Sequence, residues 1–279
     1  MNERKNMSLS VEKTLRKAQT HLKAGELVEA GTLYKAILSK FPKNMKAIKG
    51  YQRVNSGVTG HKSPSFEPPQ DKIQALLRLY DNQQFKDLFA TAKNLARQYP
   101  NSVLIYNILG MTNASLQNSE AAILNFQQAI KAKPDYAESH YNLGVSLQTV
   151  GKIDAAISSF KRAIKIKPDH FASYNNMGNA FKSKGMLSAA IDCFKSVLEI
   201  QPEYAEAHYN MGTALQENRD LDEAISCYQR TLEIQPDHGD AYNNLGNALK
   251  DKSAWDAAIE NYKNSLQIKP RYAEAHCNM

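Results

Sequence analysis

Ala137-Glu138-Ser139-His140-Tyr141-Asn142-Leu143-Gly144 opens a stretch that runs to Pro168 and has the pattern of a helical hairpin. Leu143 and Leu147 share one side of a first helix, Gly151-Lys152 breaks it, and Ala156, Ile157, Phe160, Ile164 and Ile166 recur at helical spacing along a second. Two helices with one apolar stripe each must bury those stripes against each other. Gly144, Ala156 and Ala163 are small where the axes have to approach within about 8 to 10 Å. Pro168 stops the second helix, because it has no N–H to donate.

Outward from this hairpin the pattern repeats. Prolines stand at 100, 134, 168, 202, 236 and 270, and glycines at 110, 144, 178, 212 and 246, a period of 34 residues in both series. Units begin at Val103, Ala137, Phe171, Ala205 and Gly239, and a sixth opens at Ala273. A fixed period in the range of roughly 20 to 50 residues means stacked repeats and overrides a domain count based on length.

Tyr106, Leu109-Gly110, Ala122, Phe126, Ala129 and Pro134, echoed by Tyr174, Met177-Gly178, Phe181, Ala190, Phe194 and Pro202, resemble the tetratricopeptide repeat. The resemblance implies an all-α, right-handed superhelical solenoid of helix-turn-helix units. Departures are mild. Asn113 stands where an apolar residue is expected, Ser253 where the turn has glycine, and Val197, Thr231 and Ser265 where alanine is usual.

In the same register, residues 1–54 read as an N-terminal helical module through Ala18, Gly25, Leu27, Ala30, Tyr34, Ile37 and Pro42. Residues 55–69, dense in turn formers, read as a flexible linker. Residues 70–102 form a degenerate unit that matches only in its second helix, through Phe85, Ala92, Leu95 and Pro100, with Leu88 where a small side chain is expected. Five units fill 103–272, and 273–279 begin another. A stack normally closes on a polar helix, so the expectation is a chain that continues in a longer protein.

A second period lies over the first. Ala205-Glu206-Ala207-His208-Tyr209-Asn210 echoes 137–142, whereas Phe171-Ala172-Ser173-Tyr174-Asn175-Asn176 echoes Gly239-Asp240-Ala241-Tyr242-Asn243-Asn244. The chemical unit is therefore a pair of repeats, 68 residues long, and any surface of the array should alternate.

Helical solenoids leave a continuous concave face that binds extended segments of other proteins or peptides. The resemblance implies that the sixth residue of each unit faces inward: Asn142, Asn176, Asn210 and Asn244, with Asn278 beyond and Ile108 breaking the run in the first unit. An asparagine amide offers two donors and two acceptors, a match to a peptide group, and each bond contributes about 0.5 to 1.5 kcal/mol. Units three and five should add Asn175, Asn179, Lys182 and Asn243, Asn247, Lys250, and units two and four Tyr141, Gln148 and Tyr209, Gln216. The competing expectation is that the asparagines hold the array together and the lysines are merely solvated. The groove lacks the several basic residues of a carboxylate clamp.

The remaining features narrow the function. His140, His208 and His276 recur where Tyr106, Tyr174 and Tyr242 otherwise sit, which marks packing rather than metal ligation. Cys193, Cys227 and Cys277 form no CxxC pair and read as reduced thiols, the first two as small packing groups. The chain shows no phosphate-cradling glycine cluster, nucleophile elbow or HExxH, so catalysis within these residues is not expected, and neither is a cofactor. The formal charge of +7 sits in residues 1–60, which hold 12 Lys/Arg against 4 Asp/Glu, while 103–279 hold 17 against 20. The array is thus not expected to track along nucleic acid; the basic N-terminal module is a minor candidate for an anionic surface. With no membrane-spanning stretch and no secretory signal, a cytoplasmic location is expected.

Two readings follow. One is an interaction scaffold. The other is the substrate-recognition arm of a larger enzyme, since the Asn run resembles the repeat region of O-linked N-acetylglucosaminyltransferases, and similar arrays precede bacterial sulfotransferase, glycosyltransferase and dioxygenase domains.

Overall fold

Each hairpin expected from the 34-residue period is present in the computed structural model, which describes residues 2–55 and 67–278. Among these residues every regular element is a helix. The chain divides into two units, Met1–Phe66 and Glu67–Met279.

In the first unit α1 (Asn2–Ala24), α2 (Leu27–Lys40) and α3 (Met45–Asn55) pack around Leu15, Ala18, Leu22, Ala30, Tyr34, Ile37 and Ala47. Gly50 of α3 is held against the Tyr34 ring, where a side chain would collide.

The second unit starts with α4 (Gln70–Asp81) and α5 (Phe85–Gln98). Five regular hairpins follow: α6 and α7 (Val103–Ser115, Ser119–Ala132), α8 and α9 (Ala137–Thr149, Ile153–Ile166), α10 and α11 (Phe171–Ser183, Leu187–Ile200), α12 and α13 (Ala205–Glu217, Leu221–Ile234), α14 and α15 (Gly239–Asp251, Trp255–Ile268). α16 (Ala273–Asn278) opens the next. Between the helices of each regular hairpin a glycine meets an aromatic ring. A Cβ on Gly144 would lie 2.5 Å from Phe160, on Gly178 2.6 Å from Phe194, and on Gly246 2.5 Å from Tyr262. Phe126, Phe160, Phe194, Tyr228 and Tyr262 are all essentially fully buried there and are the largest fully buried side chains of these hairpins.

One expectation is corrected at its ends: of the stretch expected as a linker, 55–69, Asn55 closes α3, and Glu67-Pro68-Pro69 belong to the array. Pro68 is buried, Pro69 supplies the carbonyl that accepts the N–H groups of Lys72 and Ile73 in α4, and the Glu67 carboxylate accepts the Val103 N–H at 2.8 Å and the Ser102 hydroxyl. The rest of that stretch, 56–66, lies outside the described residues. The degenerate unit forms both helices of its hairpin, α4 and α5, although the motif is absent from the first. Leu76 occupies the glycine position and Ala92 the aromatic position, both fully buried in one cluster, so the large and small partners have changed places.

Candidate functional site

Which face of the array is concave follows from how its helices touch. α6, α8, α10, α12 and α14 each contact the next first helix in the series as well as their hairpin partners, whereas α7, α9, α11, α13 and α15 do not reach one another. The first helices therefore line the crowded inner side and the second helices the splayed outer side.

On that inner side the asparagines are bonded across unit boundaries. Asn176 Nδ2 donates to the Tyr141 hydroxyl and Asn244 Nδ2 to the Tyr209 hydroxyl, both at 3.1 Å. In the alternate units Asn210 Nδ2 donates to Asn175 Oδ1 at 3.3 Å and Asn278 Nδ2 to Asn243 Oδ1 at 3.2 Å. Each bond joins a sixth-position amide to the fifth-position side chain of the unit before it, and the acceptor alternates tyrosine, asparagine, tyrosine, asparagine. The exception is Asn142. Its counterpart would be Asn107, whose Nδ2 is taken by the Val103 carbonyl and Ser139 Oγ, and whose buried Oδ1 has no partner. The ladder is thus partly a brace between units, with one amide hydrogen of four of these asparagines spent inside the array.

The other expected groove residues divide in the same way. Asn175 is buried and donates to Glu206 Oε1 at 3.3 Å, and Asn243 is buried and donates to Asn244 Oδ1 at 3.4 Å. Asn247 accepts the Tyr262 hydroxyl, and Gln216 the Tyr228 hydroxyl, each at 2.8 Å. Lys182 is half-buried and donates to Thr213 Oγ1 at 2.7 Å; Asn179 and Lys250 are half-buried with their polar ends unbonded among the described residues. Burial raises the hydroxyl pKa of Tyr141 and Tyr209, against the opposing hydrogen bonds from Asn176 and Asn244, so both rings keep an O–H at neutral pH. Acidic residues, Glu138, Glu206, Asp240 and Glu274, hold the second position in all but the first and third units, where Leu104 and Ala172 stand, while Lys182 and Lys250 stand at the twelfth. Ten residues of helix separate the two rows, about 15 Å, so the inner face has an acidic rim and a basic one. Among the described residues no group of His, Cys, Asp and Glu is arranged to hold a metal ion.

Profiles of the tetratricopeptide repeat match residues 137–170 and 203–271, and the TPR repeat profile matches 110–151 and 178–218, together more than half of the chain. The chain belongs to the tetratricopeptide repeat family. Its curated relatives include the peroxisomal targeting signal receptor of Kluyveromyces lactis, 26% identical over 126 residues, which are 45% of this chain and 21% of the receptor. The chain therefore matches about a fifth of that relative's length. Among solved structures, MamA superposes with a TM-score of 0.56 at 26% identity over 60% of this chain and 97% of MamA. YrrB, described as a TPR protein with an unusual peptide-binding site, shares the fold with a TM-score of 0.58 at 19% identity over 67% of this chain and 96% of its own.

The histidines of these tetratricopeptide hairpins have structural work. His140, His208 and His276 reach the carbonyls of Pro134, Pro202 and Pro270 through Nε2 at 2.9, 2.9 and 3.0 Å. His170 and His238 cap α10 and α14, their Nδ1 accepting the N–H of Ser173 at 3.2 Å and of Ala241 at 3.1 Å. No capping role was visible in the sequence, because imidazole is not among the usual helix-capping side chains; the spacing of 68 between them was the only hint. Cys193 and Cys227 are buried, and burial pushes each thiol up to about 11.

Proposed function

We propose that the inner face binds an extended polypeptide segment of another protein, holding its main chain at stations made by Tyr141 with Asn176 and by Tyr209 with Asn244. The observation that carries this reading is the pair of half-buried tyrosine–asparagine bridges. In each the hydroxyl accepts from the amide and still has its own hydrogen to donate, and Asn176 Oδ1 remains an acceptor, so the first station complements one peptide group. Asn142, Asn179, Lys182, Asn247 and Lys250 flank these stations, and Asn210, Asn175 and Asn243 set their spacing. A ladder of this kind reads main chain more than side chains. The K. lactis relative is by name a receptor for a targeting signal, which fits a polypeptide ligand. The enzyme-arm reading rests on the resemblance of the Asn run alone.

The test is selection of 15-residue peptides on the full chain from a displayed library, followed by N-methylation of alternate amides in the tightest binder. Main-chain recognition predicts about a tenfold loss for methylation at the station residues, and a loss of similar size for Asn142→Ala with an unchanged melting curve. A selected peptide indifferent to both changes would sink the proposal.

A further inference from the structure

Beside the first station, where the turn after α9 meets α8 and α10, lies a cavity of about 430 Å³ lined by Glu138, Tyr141, Lys167, Asp169, His170 and Phe171. Its charge is open to the outside. The Nδ1 of His170 accepts from Ser173, both from its N–H at 3.2 Å and from its hydroxyl at 2.9 Å, which places the ring proton on Nε2. That Nε2–H points to Glu138 Oε1 at 3.3 Å, so a neutral imidazole bonds the carboxylate without cancelling its charge. Among the described residues neither Glu138 nor Asp169 has a lysine or arginine partner.

The equivalent site three units on shows what a closed version looks like. There Lys269 donates to Asp240 at 2.6 Å, and these two residues occupy the positions that Lys167 and Glu138 hold here. Glu206, at the same position two units on from Glu138, is also engaged, by Asn175 and by the Tyr204 hydroxyl at 2.8 Å. At Glu138 the internal lysine lines the cavity but makes no ion pair. The walls are aromatic: the Tyr141 and His170 rings stand 5.1 Å apart, tilted by 49°.

We propose that this cavity takes the guanidinium of an arginine side chain projecting from the bound segment. A planar fork of N–H donors matches a half-exposed carboxylate, and the guanidinium plane stacks on aromatic faces where a lysine ammonium is held less well. Tyr141 belongs to both the main-chain station and the cavity wall, so the arginine sits next to the residue held by Asn176. The inference rests on the groove reading above and adds sequence preference to an otherwise sequence-blind ladder.

The experiment measures fluorescence anisotropy of the full chain with a labelled (Gly-Ser-Arg-Ser-Gly)3 peptide at low salt, beside versions carrying citrulline, lysine or glutamate in place of arginine. Citrulline keeps the shape and removes the charge. The expected order is arginine, lysine, then citrulline, with about fivefold between arginine and citrulline, and the glutamate peptide weakest of the four. Glu138→Gln should abolish the preference for arginine over citrulline, while Asp256→Asn, which removes an exposed charge on α15, should leave it intact. Equal binding of arginine and citrulline peptides, or a preference that survives Glu138→Gln, overturns the arginine pocket. If Asn142→Ala still weakens both peptides in that case, the main-chain reading stands without it. Failure of every peptide to bind overturns both.

Discussion

The hairpin of α4 and α5 and the hairpin of α8 and α9 occupy equivalent places in the array and fill the space between their helices in opposite ways. In the second, Gly144 lets the Phe160 ring lie against the backbone. In the first, Leu76 takes the place of the glycine and Ala92 that of the ring, and both are sealed from solvent. The interior stays closed to solvent while the motif that identifies the repeat is lost. The inner faces differ as well: the fifth- and sixth-position bridges join the units from Tyr141 onward, and α4 carries none. The hairpin needs a matched pair of volumes, whereas the polar ladder is an addition that the fold can do without.

The strongest test of that comparison exchanges the pair. Gly144→Leu drives a side chain into Phe160 and is expected to cost about 3 kcal/mol, read from the urea midpoint by circular dichroism. Adding Phe160→Ala, which copies the Leu76 and Ala92 arrangement, should restore at least half of the loss. A double variant no more stable than the single one would show that the inversion is not compensation.

The turns offer a smaller effect of both signs. Gly25, Gly151 and Gly185 place glycine at positive φ in the turn between hairpin helices, but Gln83, Gln117, Arg219 and Ser253 adopt the same left-handed conformation with side chains, Ser253 at φ 61°. Ser253→Gly is expected to stabilise the chain and Gly151→Ala to destabilise it, each by about 1 kcal/mol. Thermal melts that shift in the same direction for both would remove the argument.

The smallest effect separates brace from groove. Asn210→Ala deletes the bond to Asn175 and should cost about 0.5 kcal/mol, whereas Asn142→Ala, which deletes no bond within the array, should leave the melting temperature in place. Equal costs would mean that the two asparagines do the same job.

The period of prolines and glycines made the regular hairpins legible. The break read at Gly151-Lys152 falls in the gap between Thr149, which ends α8, and Ile153, which begins α9. α4 was hidden because compensation between Leu76 and Ala92 erases the motif while keeping the volume. Glu67 was hidden because its carboxylate serves the start of α6, some 35 residues away, and a stretch of prolines and serines reads locally as a linker. Of the inner face, the asparagine run and its alternation were legible. The brace was not, since each bond spans units: only the exchange of Tyr141 and Tyr209 for Asn175 and Asn243 at the fifth position foreshadowed it.

The bridges also give the array a phase. Excising one unit, such as 137–170, would leave every glycine facing its ring, because each hairpin carries both halves of that contact. It would also bring Asn176 up to Asn107 instead of Tyr141, putting the alternation out of step at the splice. Excising two units would restore the step. The chain can therefore lengthen or shorten by single hairpins as a scaffold, but only by pairs if the pattern presented to a partner is to stay in frame.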